Sequence, residues 1–306
     1  MRRRTFLGAA AIGAGTVKAE IAIGGAQAQG SQPGSARQPK GPQVKKGYLD
    51  GPYGQIHYYE TGSGPTLVLA HQSPVCARMF ERAFPYLRQA GIRAIAVDTP
   101  GYGNSDVPDS PPTIPEYGRA FEAVLDHFDL EQAHFLGHHT GASILCSFAA
   151  GNPHRVKSLI LNGPPLLSAE QLKAARERIS PGPHPIHDDG SHLQARWNRR
   201  TRFTPGWSDK VAMHRRLVDQ LWAGPTSWYG HRAALSYEMA EDFQTLRSPV
   251  MILTNTGDDI YHLARKAHAL RPEFTYQELP GGTHDIVDEQ PRAWSQAVAE
   301  YVLAQT

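Results

Sequence analysis

Beyond residue 46 the chain alternates two kinds of apolar pattern. Short continuous runs at 66–70, 92–97, 134–136, 156–162 and 250–253 lack the polar alternation of a half-exposed strand, and they predict strands buried on both faces. Helical spacing fills the intervals, at 77–89, 114–128, 141–150, 261–270 and 292–303, with a further strand at 274–279. Residues 47–60 read instead as a hairpin: Tyr48-Leu49, a turn at Asp50-Gly51-Pro52-Tyr53-Gly54, then the alternating Gln55-Ile56-His57-Tyr58-Tyr59. Strands separated by helices in this way predict an α/β fold, a doubly wound and mostly parallel sheet with helices on both faces. The rhythm lapses over 164–242, which has helical periodicity but no buried-strand run. This stretch holds Trp197, Trp207, Trp222, Trp228, Tyr229 and Tyr237, and it predicts a helical cap inserted above the sheet. The His and Arg residues of that insertion are scattered along the chain and read as solvated surface. The core is then 47–163 with 243–306, and the cap is 164–242.

One junction has a special shape. The run 134–136 feeds Gly137-His138-His139-Thr140-Gly141, and a small-residue helix pattern follows. Glycines on both sides let a strained central residue project its side chain from the sheet edge, which is the strand–turn–helix of a nucleophile elbow. The central residue of such an elbow is ordinarily Ser, with Asp or Cys as variants. Here it is His139.

Composition narrows the picture. The chain of 306 residues suits one large α/β domain or two small ones, and an apolar share of 40% with five Trp can fill a substantial core. A net charge of +2 gives no reason to expect a nucleic-acid partner. The N-terminus carries Arg3-Arg4-Thr5-Phe6-Leu7, a weakly apolar run over 8–17, and a small-residue cleavage pattern at Ala26-Gln27-Ala28. This predicts a twin-arginine export signal over 1–28 and a periplasmic or secreted protein. The run is too short to span a bilayer, so no membrane anchor is expected after its removal. Losing it takes away four basic residues and one acid and turns the charge of +2 into −1. Residues 29–46, rich in Gly, Pro, Gln and Ser, predict a flexible lead-in. The two cysteines, Cys76 and Cys146, fit no zinc spacing. Their helices are expected on opposite faces of the sheet, as two buried thiols.

Over residues 47–306 the order of pieces resembles the α/β-hydrolase family. His71-Gln72-Ser73-Pro74 is similar to the family's His-Gly-x-Pro loop, and the segment from Asp98 through Gly101 and Gly103 to Ser105 is similar to its D-x-x-G-x-G-x-S segment. Gly281-Gly282-Thr283-His284 resembles the loop of the catalytic histidine. Within the family the elbow most resembles Gly-His-Asp-Trp-Gly of epoxide hydrolases and haloalkane dehalogenases. The resemblance implies an eight-stranded sheet, His284 as general base, and Asp258 as its orienting carboxylate, with Asp259 as the close second. It also implies an oxyanion hole from the backbone N–H groups of Ser73 and Thr140, with His71 and Gln72 in the same loop. His138 is expected to face the packing side. Two departures matter. His139 replaces the nucleophile, and Gln72 replaces a Gly, where it either narrows the loop or reaches into the pocket as an extra donor.

Four roles stay open for His139: nucleophile toward an activated acyl carbon, general base for water, inert occupant of a pocket that only binds, or metal ligand with His284 and Asp258. No metal or cofactor is assigned. The expected activity is hydrolysis of a small or medium, fairly apolar carbonyl compound such as an ester, lactone or carbamate. An exported ligand-binding protein and a cofactor-free lyase are the alternatives. A small molecule is the only partner implied, and the oligomeric state is left open.

Overall fold

The computed structural model describes residues 43–179 and 182–306; the predicted export signal and most of the lead-in lie outside the described residues. The strands are β1 (Lys45–Gly51), β2 (Gly54–Thr61), β3 (Thr66–Ala70), β4 (Arg93–Val97), β5 (Ala133–His138), β6 (Val156–Asn162), β7 (Val250–Asn255) and β8 (Thr275–Leu279). They form one eight-stranded sheet in the order β1-β2-β4-β3-β5-β6-β7-β8. The β1–β2 and β2–β4 pairs are antiparallel and every later pair is parallel.

The helices of the core are α1 (Phe84–Gln89), α2 (Ile114–His127) and α3 (Thr140–Gly151) before the insertion. Between β6 and β7 lie α4 (Ala169–Ile179), α5 (Ser191–Phe203), α6 (Lys210–Trp222), α7 (Tyr229–Leu235) and α8 (Met239–Thr245). The chain ends through α9 (Tyr261–Leu270), the short α10 (Ile286–Glu289) and α11 (Pro291–Ala304). Among the described residues no helix is long and apolar enough to cross a membrane.

Successive side chains of a strand point to opposite faces, so each central strand feeds two cores. Val68, Ile95, Phe135, Leu159 and Ile252 pack under α2, α3, α8 and α9. Leu67, Ala94, Leu136, Ile160 and Leu253 pack under the turn at 77–80, α1 and α11. Each fully buried Leu, Ile or Phe stabilises the fold by roughly 1.5–3 kcal/mol relative to exposure. These continuous apolar runs are therefore strands that both helix layers hold in place.

Two local expectations change. The helix expected at 77–89 is split into a 3₁₀ turn at Ala77–Phe80 and α1. Pro85 sits in the first turn of α1, where its missing N–H costs nothing, whereas inside one continuous helix it would break a hydrogen bond. Cys76 and Cys146 are both buried free thiols. The 77–80 turn and α3 do lie in different cores, but the side chain of Cys76 turns back into the α3 core with Cys146.

A buried ionic network fastens α6 to the core. Arg216 Nε donates to Asp288 Oδ2 at 2.6 Å and its Nη1 donates to Asp219 Oδ2 at 2.6 Å. Arg78 reaches the other oxygen of Asp219 at 3.1 Å, and Arg216 Nη2 donates to the Arg78 carbonyl at 3.1 Å. The side chains of Arg216, Asp219 and Asp288 are all buried. Removing one partner leaves the rest uncompensated. Arg216→Ala is expected to lower unfolding free energy by about 3–5 kcal/mol in urea titration, and a change under about 1 kcal/mol would contradict this account of the network.

Candidate active site

Every predicted site residue follows the carboxyl end of a parallel strand, the edge at which α/β sheets place ligands. The loop after β3 carries His71, Gln72 and Ser73. His139 follows β5, Asp258 and Asp259 follow β7, and His284 follows β8.

The elbow is as tight as its glycines require. His139 has φ +48° and ψ −107°, a strained conformation for a residue with a side chain. A Cβ on Gly137 would lie 2.2 Å from the Gly141 carbonyl oxygen, and one on Gly141 would lie 2.3 Å from that of Ala70. These obstacles are backbone atoms and cannot swing aside. Gly137→Ala is expected to cost several kcal/mol through overpacking and lost elbow geometry. Thermal melting checks this, and a near wild-type midpoint would show that the elbow relaxes.

Sequence reasoning put Asp258 first and Asp259 a close second as the partner of His284, and the structure pairs His284 with the second. Asp259 Oδ1 accepts from His284 Nδ1 at 2.8 Å, while Asp258 Oδ2 accepts from His139 Nε2 at 2.7 Å. Two His–Asp pairs therefore stand side by side, with the imidazole rings of His139 and His284 edge-on at 4.3 Å between centroids. Packing builds this arrangement from both sides. Asn255 Nδ2 donates to the carbonyls of Gly281 and Thr283, both at 3.1 Å, and so ties the His284 loop to the end of β7. A Cβ on Gly257 would lie 1.9 Å from the Gly282 carbonyl oxygen, so the two loops meet backbone to backbone. Gly163, at φ +59°, forms the floor: its Cβ would lie 2.6 Å from His139 Nε2 and 2.8 Å from Asp258 Oδ2. Sequence reasoning passed over Gly163. Its only signal is a Gly directly after the buried strand next to the elbow.

The two imidazoles are pushed in opposite directions. Burial works against the charge on His139, but the charge and hydrogen bond of Asp258, with Asp259 behind it, outweigh burial and raise its pKa above the ordinary imidazole value. Burial lowers the pKa of His284, the adjacent His139 charge lowers it further, and Asp259 offsets only part of this. His139 therefore holds its proton more firmly than an ordinary imidazole, and His284 less firmly. With Nδ1 of His284 donating to Asp259, its Nε2 carries a lone pair. With Nε2 of His139 donating to Asp258, its Nδ1 is the nitrogen left for other partners.

The remaining expectations divide. Gln72, Ser73 and Thr140 line the cavity above the pair, while His71 does not. His71 is 1% exposed; its Nε2 accepts from the Thr99 N–H at 3.0 Å and its Nδ1 donates to the Gln72 carbonyl at 2.9 Å. It is a brace for the loop, not a substrate contact. Gln72 Nε2 donates to Asp285 Oδ1 at 3.2 Å, and Asp285 is ion-paired with the buried Arg200 of α5. Thr140 opens α3, so its N–H has no partner within the helix. His138 is fully buried and stacks on His139 at 4.3 Å with an interplanar angle of 15°. Burial, and then the charge of His139, hold its pKa well below the usual range, so it packs as a neutral ring.

The cavity measures about 1150 Å³. Of the described Phe, Trp and Tyr residues in the insertion, only Phe203 and Trp228 reach its wall; Trp197 packs against the cluster of Trp207, Ala212 and Met213, and Trp222 is 68% exposed. Arg178, Arg196, Arg199 and Arg202 line it instead; Arg178, Arg199 and Arg202 are exposed, as the sequence led us to expect, and Arg196 is half-buried. Donor atoms of His139, Asp258 and His284 lie within 4.8 Å of one another, a spread one cation can bridge, and two imidazoles with a carboxylate suit zinc or ferrous iron.

Comparison with known proteins agrees with this architecture. The α/β hydrolase fold family matches residues 65–291. The chain is 32% identical to "Bifunctional epoxide hydrolase 2" of Sus scrofa over 134 residues, which cover 42% of this chain and 24% of that protein. It is 39% identical over 114 residues to "2-hydroxy-6-oxononadienedioate/2-hydroxy-6-oxononatrienedioate hydrolase" of Cupriavidus pinatubonensis, covering 36% of this chain and 39% of that one. The chain thus spans about a quarter to two fifths of the length of these relatives. Among solved structures, the enol-lactonase from Burkholderia xenovorans LB400 superimposes with a TM-score of 0.72 at 17% identity, over 84% of this chain and 100% of that one. With the eight-stranded sheet and the elbow in place, the match over residues 65–291 settles the family: this chain belongs to the α/β hydrolase fold family.

Proposed function

We propose that the protein is a hydrolase of small carbonyl compounds of the ester or lactone class, and that it activates water directly. The observation that carries this reading is the pair of His–Asp couples whose environments push their pKa values apart. Titratable neighbours separated in this way divide the work of acid and base between them. Two relatives named as hydrolases support the reaction type, and one of them is named for a substrate that carries a ketone.

In this mechanism neutral His284 takes a proton from water through Nε2 while the water oxygen bonds to the carbonyl carbon. The carbonyl oxygen becomes an oxyanion beside Nδ1–H of His139 and the backbone N–H groups of Ser73 and Thr140. The tetrahedral species collapses, the bond to the leaving oxygen breaks, and His284 returns its proton to that oxygen. Water adds across the bond and no covalent enzyme intermediate forms. His139 acts as a cationic donor, a role that needs no nucleophile at the apex.

The test is turnover of a panel of nitrophenyl esters and lactones, with metal analysis of the same preparation. Turnover by metal-free protein that is lost in His284→Ala supports the reading. A stoichiometric bound metal whose removal stops turnover would replace it with metal-activated water at His139, Asp258 and His284. Saturable binding of these compounds without any turnover would favour a binding protein.

A further inference from the structure

A helix that covers a cavity ordinarily turns an apolar stripe inward. Helix α5 does the opposite. Arg196, Arg199, Arg200 and Phe203 fall at helical spacing on one face, and all four line the cavity above His139 and His284. Arg200 is engaged with Asp285. Arg196 and Arg199 form no ion pair with another described residue, and Arg178 of α4 adds a further guanidinium to the wall. The acid on that wall is Asp259, already bonded to His284.

The positive groups crowd one another. Partial burial lowers the pKa of the half-buried Arg196, and the charge of Arg199 adds to this; Arg199 is itself exposed to water, and the desolvation of its inner side followed by the charge of Arg202 lowers it in the same direction. Burial, followed by the charge of Arg199, takes His231 on α7 down to about 3. Like charges gathered without a counter-charge are a liability in the empty protein and an asset once an anion enters. The guanidinium fork matches a carboxylate with two parallel hydrogen bonds.

Phe203 relates this wall to the chemistry. Its ring centre lies 5.9 Å from the Arg199 guanidinium carbon and 5.7 Å from the centre of the His284 ring. The cationic wall and the base flank one aromatic ring.

We propose that the substrate carries a carboxylate, held by Arg196 and Arg199, at the opposite end of a short chain from the carbonyl that His284 and His139 attack. The inference deepens the hydrolase reading for the reacting end and stands on the arginine face alone for the anionic end. It replaces the fairly apolar substrate expected from the sequence with an anionic one. A dicarboxylic acid monoester or a lactone bearing an acid side chain has the required chemistry.

The test compares mono-nitrophenyl glutarate with its neutral analogue, nitrophenyl valerate, in wild type and in the double variant Arg196→Gln/Arg199→Gln. The expected result is a kcat/KM ratio favouring the glutarate by about 10- to 100-fold, the size of one charge-assisted hydrogen bond. The ratio should fall toward one in the double variant and in high salt. A wild-type ratio of one or below, or a preference that survives the double substitution, would overturn the inference. If neither ester turns over, glutarate binding is measured by calorimetry. Saturable binding lost in the double variant then upholds the anion site while the hydrolase reading fails; no binding removes both.

Discussion

His284→Ala is expected to lose about 10²- to 10⁴-fold in kcat for ester hydrolysis, the contribution of a general base. Its carboxylate partner should behave almost as severely. Asp259 accepts the Nδ1 proton of His284 at 2.8 Å and so keeps the Nε2 lone pair aimed elsewhere. In Asp259→Asn the amide can turn its NH₂ toward Nδ1, which moves the proton to Nε2 and removes the base. The decisive comparison is with Asp258→Asn, which removes the partner of His139 and keeps the His284–Asp259 hydrogen bond. Steady-state rates near pH 6 should rank Asp259→Asn well below Asp258→Asn. The reverse order would restore Asp258 as the partner of His284 and reject the pairing seen in the structure.

Asp258 has its largest effect on stability, and that effect should depend on pH. Its carboxylate bonds a histidine that is 6% exposed and sits in a strained turn. Removing one partner of a buried ion pair costs about 3–5 kcal/mol while the other remains charged. The folded-state pKa of His139 is raised above its unfolded value of about 6.5. The stabilisation from the pair is therefore fully present below that value and fades as pH rises through the folded pKa. Urea unfolding of wild type and Asp258→Asn should show its widest gap near pH 5.5 and a narrower one near pH 9. A gap that is constant, or wider at pH 9, would mean that His139 is neutral in the folded protein.

The central sheet was legible because strands buried on both faces leave uninterrupted apolar runs. Residues 66–70 and 156–162 match β3 and β6 to the residue. The elbow was legible for a related reason: a turn that excludes Cβ atoms at two positions writes Gly137 and Gly141 into the chain. Motif order placed His139 and His284 at one sheet edge, yet it could not divide two adjacent aspartates between them. Asp258 and Asp259 are neighbours in sequence, and the packing of the two loops, through Gly257 against Gly282 and the Asn255 hydrogen bonds, sets which carboxylate faces which ring. The arginine face of α5 was missed because polar residues on a helix usually mark the solvent side. Here the helical spacing of 196, 199, 200 and 203 was present in the sequence, but nothing local says that this side looks onto a cavity.

The most direct test of the two-couple mechanism is the pH dependence of kcat/KM for an ester substrate, which reports the groups of the free enzyme. His284 must be unprotonated and His139 protonated. Because the pKa of the first is lowered and that of the second is raised, the profile should be a bell, with its acid limb below about 6.5 and its alkaline limb above it. In Asp258→Asn the alkaline limb should move to lower pH, since the charge that holds the proton on His139 is gone. A rate that climbs through neutral pH and stays on a plateau to pH 9 would contradict the account, because His139 would then be working as an unprotonated nucleophile or base.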